Sequence, residues 1–162
     1  QDGHICDLAV GFCVEQPIAG TCADPFPVPQ LGVLSSSTAA DQENIQAYNY
    51  NRGSCGGDDG FEHVYLFEPI VPEEQVLDFC AHTIDSSFDT VLYARRANCS
   101  DRAMETGCND DNRGVNGQGA TSALTLRASA GDVFYIFVDA WAAGQRGDYN
   151  LGVIAGSCEG GQ

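Results

Sequence analysis

Short segments of this chain alternate apolar and polar residues with a period of two, and clusters of Gly, Pro, Asn, Asp or Ser close each one. That pattern leaves little room for helices and asks for half-buried strands. Residues 61–68 place Phe61, His63, Tyr65 and Phe67 on one face and Glu62, Val64, Leu66 and Glu68 on the other. Pro69 and Pro72 then force a turn. Residues 75–83 put Leu77, Phe79 and Ala81 on one side, 89–94 form a short strand, and 121–127 turn Leu124 and Leu126 inward. Residues 148–154 alternate Tyr149, Leu151 and Val153. Residues 133–138 are apolar on both faces, which predicts a strand covered on both sides. Many short strands with regular turn signals predict an all-β fold, an antiparallel β-sandwich. A competing reading exists for 37–48, where Ser37 could cap a short helix, but the stretch lacks an apolar stripe wide enough to dock it. Three stretches read as loops: the Gly-rich acidic 51–60, the long 98–119, and 140–148 between the last two strands.

Eight cysteines fix the compartment: Cys6, Cys13, Cys22, Cys55, Cys80, Cys99, Cys108 and Cys158. None stands in a close C-x2–4-C pair of the kind zinc prefers, so disulfides in an exported, extracellular chain are the expectation. The start at Gln1, without Met or an apolar leader, is what a mature product after export would show. Cys99 and Cys108 share one loop and are expected to close it on itself, while Cys158, after the last strand, is expected to reach Cys22 or Cys55. Seven basic residues, all Arg, face 23 acidic ones, for a net charge of −16. Such a surface repels phosphate backbones and anionic lipid, which argues against nucleic acid as a partner. No stretch approaches the roughly 20 apolar residues of a membrane span, so membrane insertion is not expected.

Ser87-Phe88-Asp89-Thr90-Val91-Leu92-Tyr93 is followed by Cys99 and then by Cys108-Asn109-Asp110-Asp111. Next come Ser122, Leu124, Leu126 and Gly131, then Tyr135-Ile136-Phe137-Val138-Asp139, and Gly147-Asp148-Tyr149-Asn150-Leu151 closes the series. This order resembles the bacterial pre-peptidase C-terminal (PPC) domain in its cysteine-bearing form, over about residues 55–155. The resemblance implies a jelly-roll-like β-sandwich and a non-catalytic module that accompanies secreted peptidases and other surface proteins.

The carboxylates divide into candidates and background. Asp89 opens a strand, Asp110 and Asp111 follow a cysteine, and Asp139 ends an apolar strand and should lie at the rim. Oxygen ligands gathered on loops suit Ca²⁺, which accepts 6–8 of them in loose geometry. The plainer reading is turn capping and a solvated acidic surface. Catalytic motifs are weak: His82, Asp85 and Ser86 form a triad only on paper, and neither a G-x-S-x-G elbow nor an H-E-x-x-H run occurs. Asn98-Cys99-Ser100 fits the N-glycosylation pattern. The single tryptophan, Trp141, suits either a sugar-stacking platform or a cover for the end of the core.

Residues 1–21 read as an N-terminal β-prone extension ahead of a sandwich domain over 22–162. Within it Leu8, Val10, Phe12 and Val14 stand at strict i, i+2 spacing. A strand over 4–16 with one apolar face could complete its own sandwich or add to a neighbour's sheet. Strand exchange of that kind would make the protein its own partner, a subunit of an extracellular fibre or coat. The alternative is an accessory module that attaches a secreted hydrolase to carbohydrate or matrix.

Overall fold

The computed structural model describes residues 4–7, 12–15, 18–28, 31–39, 51–57, 60–111 and 120–158. The strands, in chain order, are β1 His4–Asp7, β2 Phe12–Glu15, β3 Phe26–Val28, β4 Gly32–Ser37, β5 His63–Phe67 and β6 Val76–Ile84. They continue with β7 Thr90–Arg96, β8 Glu105–Asn109, β9 Ala123–Ser129, β10 Phe134–Ala140 and β11 Asp148–Ala155. One 3-10 turn, Arg102–Met104, precedes β8, with the Asp101 carboxylate accepting from the Ala103 N–H. Two sheets carry the fold, a five-stranded one in the order β3-β5-β10-β7-β8 and a four-stranded one in the order β4-β11-β6-β9. From β5 onward the chain crosses repeatedly between them, which is the connectivity of a β-sandwich rather than of a meander.

The alternation seen in the sequence becomes the core. Tyr65 and Phe67 of β5, Leu92 and Ala94 of β7, and Phe134, Ile136 and Val138 of β10 face Phe79, Ala81, Leu126, Ala128, Leu151 and Val153 from the other sheet. β10 lies at the centre of its sheet and is apolar on its outer face too, where Phe137 joins Val64, Val91, Tyr93 and Cys99 in a second cluster. That outer layer explains the two-sided hydrophobicity of 133–138. It is covered by chain from 18–24 and 51–57, stapled down by the disulfides Cys22–Cys99 and Cys55–Cys108. One pairing departs from the antiparallel expectation, since β3 runs parallel to β5. Its short length and the exposed Pro27 at its middle suit an edge position.

Both expected pairings of cysteines are corrected. Cys99 and Cys108 do not join each other, because the β7–β8 register sets Cys108 opposite Tyr93 in mid-strand while Cys99 lies past the end of β7. Cys158 joins Cys80 rather than Cys22 or Cys55. After β11 the tail turns at Gly156, whose φ is 100° and whose N–H donates to Asp78 O, and so passes back over β6. No cysteine among the described residues is free. Peptide mapping under non-reducing conditions should therefore recover linked peptides for 22–99, 55–108 and 80–158, and none that joins Cys99 to Cys108.

The N-terminal reading is corrected as well. Residues 4–16 are not one strand: β1 and β2 pair with each other antiparallel, with Cys6 opposite Cys13. The one long strand expected over 4–16 is therefore two short strands sharing a ladder. Phe12 and Val14 lie in β2, and Leu8 and Val10 lie outside the described residues. Most of the helix considered over 37–48 also lies outside them, while Ser37 ends β4. The stretch read as a loop over 98–119 holds β8, whose residues are only half-buried and whose apolar signal is correspondingly faint.

One close approach tests the four-stranded sheet. Gly152 of β11 pairs with His82 of β6, and a methyl group at 152 would come within 2.6 Å of His82 Nε2. The ring is buried, and burial holds its pKa below the usual value, partly offset by a backbone hydrogen bond at Cys80. Gly152→Ala should destabilise the domain by about 1–3 kcal/mol, as overpacking does. In a His82→Ala background the same substitution should be nearly silent, which urea denaturation of the double-mutant cycle would show.

Candidate functional site

Three acidic side chains meet at one rim of the sandwich. Asp89 immediately precedes β7, and Asp110 and Asp111 immediately follow β8, its antiparallel neighbour. The antiparallel register brings the start of one strand beside the end of the other, so all three carboxylates can offer oxygens within 4.8 Å of one another. Two ligands on opposite sides of a Ca²⁺ ion lie about 5 Å apart, given bonds of about 2.3–2.6 Å. The cluster therefore has the span of a calcium shell.

A knot of buried hydroxyls sets this geometry. Thr83 Oγ1 and Thr90 Oγ1 lie 2.8 Å apart, and Ser122 Oγ lies 3.2 Å from Thr90 Oγ1. Ser122 Oγ also donates to the carbonyl of Asp110. The Ser122 N–H donates to Thr83 Oγ1 at 2.8 Å, and the Thr90 N–H to Ala120 O at 3.2 Å. Asn109 Oδ1 accepts from the Ala123 N–H at 2.9 Å, which ties the end of β8 to the start of β9. Asp89 and Asp110 are thus carried on chain segments fixed to both sheets. The hydroxyls were legible only as threonines and a serine near strand ends, a signal shared by many turns.

The electrostatics of the cluster are unfavourable without a counterion. Asp89 Oδ1 and Asp110 Oδ1 are buried and accept no hydrogen bond from the described residues. Burial raises the pKa of Asp89 above the usual carboxylate value, and the charge of Asp111 raises it further. Asp110 is raised in the same way, first by burial, then by Asp111 and by Asp89. Buried, unsatisfied carboxylate oxygens crowded by like charge are what a divalent cation would relieve.

The other residues singled out lie elsewhere. Asp139 is fully buried; its Oδ1 accepts from the Ala140 N–H at 2.7 Å and its carboxylate packs against Gly57 and Gly60. It lies outside the acidic cluster. Asn98 is exposed, and its Oδ1 accepts from the Ser100 N–H at 3.1 Å. The paper triad is not assembled: Ser86 Oγ donates to Phe88 O at 2.6 Å, and the His82 ring lies against Gly152. His63 serves a buried network, with Nδ1 at 2.8 Å from Tyr149 Oη and 3.2 Å from Ser36 Oγ.

One charged group went unnoticed in the sequence. Arg95 is fully buried on the outer face of the five-stranded sheet, its guanidinium 4.7 Å from the centre of the Phe137 ring. It donates to Asn51 Oδ1 at 2.7 Å, and Asn51 donates to Glu62 Oε1 at 2.7 Å. Tyr93 Oη donates to Glu62 Oε2 at 2.6 Å. Burial raises the pKa of Glu62 against the opposing pull of Tyr93, Asn51 and Arg95. The network fastens residues 51 and 52 over the sheet and acts structurally.

No protein-family model matches the chain, and no curated protein matches it. Among solved structures it is similar to the pre-peptidase C-terminal domain of a collagenase from Bacillus anthracis, at 14% identity and a TM-score of 0.50. The match covers 80% of this chain and 94% of that one. No helix among the described residues is long and apolar enough to cross a membrane. Two facing sheets, crossed repeatedly by the chain and similar over most of their extent to that domain, give this chain the fold of a pre-peptidase C-terminal domain.

Proposed function

We propose that this chain is a non-catalytic accessory module of an extracellular protein, with a rim organised by Ca²⁺ bound at Asp89, Asp110 and Asp111. The observation that carries the reading is the acidic cluster, in which buried carboxylate oxygens of Asp89 and Asp110 have no hydrogen-bond partner among the described residues beside a third carboxylate. Three carboxylates leave room in a 6–8-coordinate shell for water or for a ligand's oxygens. The disulfides Cys22–Cys99, Cys55–Cys108 and Cys80–Cys158 support an oxidising compartment. The likeness to a domain of a collagenase supports an accessory role over self-assembly.

Calorimetric titration of chelator-stripped protein with Ca²⁺ tests the reading. One ion per chain should bind, and Asp110→Asn should weaken binding by about tenfold or more, as loss of a charged ligand does. Absence of heat and of any thermal shift in the wild-type protein would refute it.

A further inference from the structure

Trp141 is 46% exposed, on the turn that follows β10. Its indole is seated rather than loose. Gly56 lies beneath it, and a methyl group at that position would come within 2.7 Å of the ring at Cζ3. Gly56 follows Cys55, whose partner Cys108 stands just before Asn109, Asp110 and Asp111. A single disulfide thus joins the floor of the indole to the strand that presents two of the carboxylates. The third is closer still. Ala140 pairs with Thr90, and the next step of the ladder is the Trp141 N–H donating to Asp89 O at 2.9 Å. Residues opposed in this way have Cβ atoms about 4.5–5.5 Å apart on the same face of the sheet. The indole and the acidic cluster are therefore carried by adjoining segments at one rim.

We propose that this rim binds neutral carbohydrate, with a pyranose ring stacked on Trp141 and its hydroxyl groups directed to the Asp89–Asp110–Asp111 cluster. A pyranose has an apolar C–H face for the indole and a rim of O–H groups that can donate to carboxylates or ligate a cation held by them. Polyanionic glycans are disfavoured by the net charge of −16. A proline-rich peptide also stacks on an indole, but it has no O–H donors for the carboxylate oxygens that the ion leaves free. The inference rests on the accessory-module reading and names the ligand class of the same rim.

The test uses the full chain, with cello-, xylo- and chito-oligosaccharides and a proline-rich peptide as probes, and with fluorescence of the single tryptophan as the readout. At least one neutral oligosaccharide series should shift the emission of Trp141 saturably. Trp141→Ala should weaken that binding by about tenfold or more, assayed by calorimetry. Trp141→Phe should retain part of it. Both variants should keep the wild-type melting temperature and Ca²⁺ titration, which separates loss of the platform from loss of the fold or of the ion. Binding of the peptide alone, binding of glycans unaffected by Trp141→Ala, or no glycan binding while Ca²⁺ still binds would each overturn the inference and leave the calcium site standing. Failure of the Ca²⁺ titration itself would refute the reading beneath it.

Discussion

Saturating Ca²⁺ should raise the melting temperature of the stripped protein by about 5–10 °C. The size follows from mass action: an ion at about 100 times its dissociation constant, bound only by the folded state, contributes about 2.7 kcal/mol. A domain of this length shifts by about 2–4 °C per kcal/mol. Asp110→Asn should lose most of that response while melting no lower than wild type in chelator, because the substitution also removes one of the crowded charges. The dependence on pH should change sign with the ion. Without Ca²⁺, Asp89 and Asp110 have folded pKa values raised above their usual value of 3.8. The folded state then binds more protons than the unfolded chain in the window that begins near 3.8, so their contribution to stability falls as pH rises through it. With Ca²⁺ bound, the carboxylates must be ionised in the folded state, so the fall above 3.8 should vanish and stability should instead be lost as pH drops through 3.8 and below. Glu62, also raised by burial, contributes equally with and without the ion, so the difference between the two melting profiles isolates the cluster.

Arg95→Leu should be the most damaging single substitution in the outer layer, at about 3–5 kcal/mol. Removing one member of a buried charge network strands the rest. Here the stranded groups are Glu62, Asn51 and the carbonyl of Cys99, each of which the present arrangement satisfies through Arg95 or its immediate partner. Glu62→Gln should be milder, at about 2–3 kcal/mol, because the amide preserves the shape and the Tyr93 hydroxyl can reverse its hydrogen bond, while the buried Arg95 loses its counter-charge. Replacing both Glu62 and Arg95 by Leu should recover part of the loss, since no charge is then left buried alone. Urea denaturation with the disulfides intact measures all three.

The sandwich was legible because its central strands obey a simple rule. β5, β9, β10 and β11 alternate cleanly or are apolar throughout, and their turns carry Pro69, Gly131 and Gly144. The edges were not. β3 has three residues with proline at the middle, so Phe26 and Val28 make too short a run to read, and β4 sets one core-facing Leu34 ahead of Ser35, Ser36 and Ser37. β8 was hidden because its residues are half-buried and its role is to carry Cys108 and the two aspartates to the rim. Disulfide partners were misread for a related reason. Nearness in sequence suggested Cys99 with Cys108, whereas partners follow from register, and register needs β8 to be recognised first. At the candidate site Asp89, Asp110 and Asp111 were legible only as loop carboxylates at a strand start and after a cysteine, and it is the β7–β8 register that brings them together. Asp139 was drawn in by its position at a strand end, but its alternation places it on the outer face beneath Gly57 and Gly60. Arg95 was missed because a charged residue in a strand reads as solvent-facing until a covering loop is known.

The most direct measurement of the central claim is sensitised terbium luminescence. Tb³⁺ takes calcium's oxygen ligands, and Trp141, whose backbone is bonded to that of Asp89, is close enough to pass its excitation to an ion held there. Excitation of the tryptophan should produce terbium emission that saturates at one ion per chain, is displaced by Ca²⁺, falls sharply in Trp141→Phe and needs about tenfold or more Tb³⁺ in Asp110→Asn. Emission that persists unchanged in Asp110→Asn, or that Ca²⁺ cannot displace, would show that the Asp89–Asp110–Asp111 rim is not a calcium site.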